Sequence, residues 1–162
     1  MKKFRKVAVG GTFDEFHKGH RSLLLKAFEV GEKVLIGLCT DEFVKILGKP
    51  HVTAPYETRL NELQTFLEKS NLIDTAEITP LNDPYGKTLT DKCIEALVVS
   101  EETEKIALKI NQKRNAKSMP PLKIITISMV PAENYKPIST TRIREGEIDR
   151  EGHLLKKSRI SH

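Results

Sequence analysis

The chain has 162 residues, 38% hydrophobic and 30% charged, the balance of one soluble domain that can bury a core unaided, and no apolar run approaches the ~20 residues of a membrane span. Cys39 and Cys93 stand apart with no CxxC or Cys/His grouping, which argues against a disulfide framework or structural zinc and for a reduced, cytoplasmic setting. The net charge of +5 is local, concentrated in residues 111–123 and 150–162; neither cluster interleaves aromatics, so they suit a polyphosphate pocket or a solvated face and no nucleic-acid partner is expected.

The basic start, Met1–Lys6, runs into a short strand rather than the long apolar core of a secretory leader. That strand, Val7–Val9, meets Gly10 and Gly11, which let the backbone turn sharply and approach a ligand. His17 and His20 follow, three residues apart, and an amphipathic helix carries Leu23, Leu24, Ala27 and Phe28 on one side. Strand, glycine turn and helix start form an anion site, since free backbone N–H groups and the helix dipole both favour negative charge. If the helix has begun by His17, both rings share one face and point at one anion.

Further along, Lys33–Cys39 reads as a buried parallel strand, and Thr40-Asp41 caps a short helix over Glu42–Leu47. Lys45 and Lys49 lie in and just after that helix, with Gly48-Lys49-Pro50 forming a loop. Pro55 opens a helix over Tyr56–Lys69, with Leu60, Leu63, Phe66 and Leu67 at helical spacing. Arg59 in its first turn either ties the helix down or touches substrate. Ala76–Ile78 is a short strand, Asn82–Gly86 a turn, and Leu97–Val99 another buried strand. Ser100 caps a helix from Glu101 to about Asn115, and a last strand spans Lys123–Val130. A final short helix follows Ile138, where Ser139, Thr140 and Thr141 offer hydroxyls and unpaired amides at its start. Strands alternating with helices predict an α/β fold, a Rossmann-like parallel sheet flanked by helices. Its ligand belongs beyond the carboxyl ends of the strands, where Gly10, Cys39, Ser100 and Val130 converge. One domain covers residues 1–150, and 151–162 forms a basic tail, loosely docked or disordered.

Gly11-Thr12-Phe13-Asp14 with His17-Lys18-Gly19-His20 resembles the GTFD…HxGH signature of the nucleotidyltransferase superfamily. Ile138–Arg144 resembles its second signature, ISSTxIR, with Ser-Thr-Thr standing for Ser-Ser-Thr. The resemblance implies that Gly10, Gly11, Thr12, Phe13, Asp14, His17 and His20 surround a nucleotide. It gives His20 the α-phosphate and the transition state, His17 the phosphates beside it, and Thr12 the orientation of the attacking phosphate. Ser139, Thr140 and Thr141 then hold the β- and γ-phosphates, with Arg144 close by. A catalytic lysine is implied after the second strand, either Lys45 or Lys49, and Arg114 in its basic cluster is a candidate phosphate contact.

Val99-Ser100-Glu101-Glu102-Thr103 and the run Lys136–Asp149 are similar to segments of the archaeal and eukaryotic phosphopantetheine adenylyltransferases, as are Asn111 with Arg114 and Asp83–Gly86 with Thr88. This resemblance implies transfer of AMP from ATP to 4′-phosphopantetheine, with magnesium carried by the polyphosphate. Sibling cytidylyltransferases and FAD synthetases, or a non-catalytic nucleotide sensor on the same fold, are the alternatives. The cytidylyltransferases carry an Arg-Thr-x-Gly run where this chain has Asn134–Pro137.

Overall fold

A computed structural model describes residues 2–49 and 52–155. Pro50, which closes the expected Gly48–Pro50 loop, and residues 156–162 of the expected tail lie outside the described residues. The elements run β1 (Phe4–Gly11), α1 (Lys18–Val30), β2 (Gly31–Cys39), α2 (Asp41–Leu47), α3 (Tyr56–Lys69), β3 (Ala76–Leu81), β4 (Ala96–Ser100), α4 (Glu104–Ala116), β5 (Lys123–Ile127) and α5 (Thr140–Arg144). No helix among the described residues is long and apolar enough to cross a membrane.

The five strands form one parallel sheet in the order β3-β2-β1-β4-β5. The chain therefore winds outward from β1 through β2 to β3, then returns to place β4 on the other side of β1. The direction of winding reverses between β1 and β4, which opens a crevice at their carboxyl ends.

Strand alternation divides the core into two faces. Val7, Val9, Val34, Ile36, Leu38, Ala96 and Val98 pack against Leu24, Ala27 and Phe28 of α1 and Leu63 and Leu67 of α3. Ala8, Leu35, Leu97 and Val99 pack on the opposite face against Ala107 and Ile110 of α4. Both strand faces are apolar because both are covered, which explains the near-continuous hydrophobic runs in β2 and β4.

The last strand ends at Ile127, short of the expected Val130. Its pairing with β4 stops at Ser100↔Ile127, and with no partner further along, Ser128–Val130 leave the sheet. Residues 151–155, within the stretch expected as a tail, are tied into the fold. Asp149–Gly152 makes a tight turn, Leu154 bridges back to Ile148, and Glu133 donates its amide to the Gly152 carbonyl. Residues 151–155 thus close a small apolar cluster of Ala132, Ile138 and Ile148 that supports α5.

Candidate active site

The chain's two signatures meet across the β1–β4 crevice. A pocket of about 370 Å³ is walled by Gly10–Phe13, His17, Gly19 and His20 on one side and by Ile138–Thr141 on the other. Ser100 at the end of β4 with Glu102 and Thr103 after it, and Ile127 at the end of β5 with Ser128–Val130 after it, complete it, and Leu23 and Lys49 also line it.

The two histidines owe their placement to helix capping. His17 is not in the helix: it is the N-cap of α1, with extended backbone, and His20 is the third helical residue. His17 Nδ1 accepts from the amides of Gly19 (3.0 Å) and His20 (3.3 Å), while His20 Nδ1 accepts from the His17 amide (3.2 Å). This is a capping box built from two imidazoles, and it satisfies three amides at the helix start. The reciprocal bonds stack the rings, with centroids 3.6 Å apart. The expected shared helix face is replaced by this cap, which still brings the two rings together. Gly19 is required by it, because a Cβ there would lie 2.8 Å from His17 Cε1.

The cap also fixes chemistry. Each Nδ1 accepts a backbone N–H, so the hydrogen-bond partners assign the neutral proton of each ring to Nε2. Burial pushes His17 down to about 4, helped by the cations Arg21 and Arg150 and opposed by Asp14. His20 is lowered well below its ordinary value, first by burial and then by His17, Lys49, Arg21 and Arg150. Phe13 meets the His20 ring edge-on and Phe16 stacks on it, at 5.3 and 5.8 Å between centroids. At neutral pH the site therefore presents two uncharged Nε2–H donors.

These shifts have a consequence for stability. The unfolded chain takes up a proton on His17 near pH 6.5, whereas the folded chain resists until about pH 4. Stability from this residue is complete above pH 6.5 and is lost as pH falls toward 4, on the order of 3 kcal/mol. Urea unfolding measured across that window should show the decline. His17→Asn, which keeps an N-cap side chain, should make the decline shallower, with the share from His20 remaining. An identical slope in the variant would mean that His17 titrates normally.

The second signature is also partly committed to structure. Ser139 Oγ caps α5 by accepting from the Arg142 amide at 3.2 Å. The Thr140 hydroxyl donates to the Asp14 carbonyl at 2.9 Å. Among the described residues, Thr141 has no hydrogen bond through its hydroxyl.

Several candidates lie elsewhere. Arg114 is buried away from the pocket: its Nε donates to Pro120 O and its Nη1 to Thr88 O, so the guanidinium ties α4 to two loops instead of meeting a phosphate. Asn111 joins it, bracketing both the amide and the carbonyl of Leu122. Of the two lysines, Lys49 reaches the pocket wall; Lys45 lines a neighbouring hollow with Asp41, Val44 and Thr53. Arg59 is a tie, bonded to three backbone carbonyls and Asp41. Cys39 is buried beside Phe43 and Val44 and does not line the pocket; burial pushes its thiol up, against a hydrogen bond with Thr12. Asp14 and Arg144 face each other instead of the pocket, with Arg144 Nε and Nη2 each 2.8 Å from an Asp14 carboxylate oxygen.

Sequence reading missed Glu102, Thr103, Leu23, Ile127, Ser128 and Met129 as pocket residues. Only strand-end position hinted at the last three. Glu102 and Thr103 stood inside the Val-Ser-Glu-Glu-Thr segment, where the position after a buried strand was the available signal.

Residues 8–146 match the cytidylyltransferase-like family model. A phosphopantetheine adenylyltransferase of Methanothermobacter thermautotrophicus is 48% identical over 98% of this chain and 94% of its own length. One from Pyrococcus horikoshii is 46% identical over 96% and 98%. Among solved structures, a protein of unknown function from Archaeoglobus fulgidus is similar at 35% identity and a TM-score of 0.68, covering 75% of this chain and 88% of its own. The chain belongs to the cytidylyltransferase-like family and, within it, to the phosphopantetheine adenylyltransferases.

Proposed function

We propose that the chain joins the AMP of ATP to 4′-phosphopantetheine, giving dephospho-coenzyme A and pyrophosphate in the cytoplasm. A phosphate oxygen of phosphopantetheine attacks the α-phosphorus in line. The bond from that phosphorus to the bridging oxygen breaks, and magnesium pyrophosphate leaves. The nucleophile is already anionic at neutral pH, so the reaction needs positioning and charge stabilisation more than a general base.

The observation that carries this reading is the pair of neutral Nε2–H donors facing the Ser139–Thr141 segment across a pocket of about 370 Å³. That volume falls within the roughly 300–1,000 Å³ usual for small-molecule sites. His20 donates to the α-phosphate as its charge grows, with His17 on the neighbouring phosphate oxygens. Lys49 adds a positive charge at the rim. Thr12, at the end of β1, orients the attacking phosphate. The hydroxyl of Thr141 and the first amides of α5 take the β- and γ-phosphates, while Ser139 and Thr140 hold that segment in place. Leu23, Ile127, Met129, Val130 and Ile138 supply apolar walls suited to adenine. Magnesium enters with the triphosphate as part of the substrate.

Pyrophosphate release from ATP and magnesium, on adding 4′-phosphopantetheine, tests the reading. CTP with glycerol 3-phosphate and ATP with FMN run beside it. Release with phosphopantetheine alone, and dephospho-coenzyme A in the product, is the expected outcome. Release with another pair would keep the His20 chemistry but change the substrate. Silence in all three would overturn the proposal.

A further inference from the structure

Asp14 lies inside the first signature, and Arg144 ends the second. The Asp14 side chain is only 2% exposed. Its Oδ2 takes Arg144 Nε and its Oδ1 takes Arg144 Nη2, both at 2.8 Å, in a two-pronged pair. Oδ1 also accepts the Ala54 amide at 3.1 Å, and the Asp14 carbonyl accepts the Thr140 hydroxyl at 2.9 Å. One residue of the histidine loop is thereby fastened to both ends of α5 and to the loop before α3. Phe13 and Glu15, on either side of it, have φ of 52° and 49°, in the left-handed region that non-glycine residues avoid. A loop so shaped persists only when its surroundings over-determine it.

We infer that Asp14 and Arg144 are a pair of positioning residues that sets the separation of the two phosphate-binding signatures, with Arg144 acting through Asp14 rather than on a phosphate. This rests on the adenylyltransferase reading above. A phosphate drawing Arg144 to itself would break the two-pronged bond to a buried carboxylate and set more negative charge beside the polyphosphate. With the pair intact, that charge is neutralised, and His20 faces Thr141 at a fixed span. The geometry demands a planar fork, which lysine lacks, so an ordinary cation at position 144 does not suffice.

A double-mutant cycle tests the pair. Asp14→Asn, Arg144→Gln and the double variant are compared with the intact protein by pyrophosphate release, by ATP affinity from calorimetry and by melting temperature. Each single change should lower turnover and ATP affinity by about 10- to 100-fold. The double variant should be no worse than the poorer single, because both remove one interaction. Losses that multiply in the double variant would overturn the inference and make Arg144 an independent phosphate contact. So would singles that keep full turnover. If Asp14→Asn fails to fold, Arg144→Lys decides: loss close to that of Arg144→Gln supports the fork, whereas near-normal turnover means that charge alone suffices and overturns it. If the intact protein releases no pyrophosphate, the functional reading fails, and the cycle is judged on ATP affinity alone.

Discussion

His20→Ala should lower turnover by about 100- to 1,000-fold and leave ATP binding measurable. Because His20 Nδ1 accepts the His17 amide, the ring is oriented by the helix start, and its Nε2–H is set before substrate arrives. Phe13 and Phe16 against the ring exclude water, which strengthens a donor aimed at growing charge. Alanine removes the donor and half of the cap, so a fall in turnover alone would not separate chemistry from folding. His20→Gln makes that separation. Glutamine at the third helical position is the usual capping-box partner and should return most of the helix stability. It should not return turnover, since an amide turned back to the His17 N–H holds no donor where the imidazole Nε2–H points. Pyrophosphate release measured for both variants, beside their urea midpoints, checks this. Near-normal turnover in His20→Ala would remove His20 from the mechanism.

The sheet was readable from sequence because each buried strand is a short apolar run and the helices between show apolar residues at helical spacing. Tyr56–Lys69 matches its expected bounds, and Thr40 caps α2 as read. The end of β5 was not readable: Ile127 to Val130 is as apolar as a strand, and only the length of β4 determines where pairing stops. In the site, the residues at strand ends and helix starts were legible, since spacing alone brings Gly11, His17 and His20 together. The role behind that spacing was not. Three residues separate members of one helix face and also the two members of a capping box, and nothing in the sequence chooses between them. Arg114 shows another limit. A cation in a basic cluster looks available for phosphate, but 1% exposure and two carbonyl partners, one of them 26 residues away, make it a bracket. The Asp14–Arg144 pair spans nearly the whole chain, and no local pattern encodes such a contact.

Arg59 leads to the largest expected change in stability. Its side chain is 1% exposed, and it gathers four acceptors from three segments. Nε donates to Ala54 O at 2.8 Å, Nη1 to Thr12 O at 2.9 Å and Cys39 O at 2.7 Å, and Nη2 to Asp41 Oδ1 at 2.9 Å. The first turn of α3 is thereby bolted to the carboxyl ends of β1 and β2, the edge from which the pocket is built. Arg59→Leu fills similar space but takes the Arg59 donor from the buried Cys39 carbonyl and from the part-buried Ala54 and Thr12 carbonyls, a change that costs about 3–5 kcal/mol. At this chain length such a loss lowers the melting temperature by roughly 6–20 °C. Arg59→Lys keeps the charge but cannot reach three directions from one ammonium, so it should fall between the two. Thermal unfolding of the three proteins orders them. A leucine variant within about 1 kcal/mol of the parent would mean that the carbonyls find other donors and that the bolt is dispensable. Because Thr12 is among the residues held, the lysine variant should also lose kcat/KM for phosphopantetheine at temperatures where it is fully folded. The pocket and the stability of this edge then depend on the same guanidinium, although it does not line the pocket.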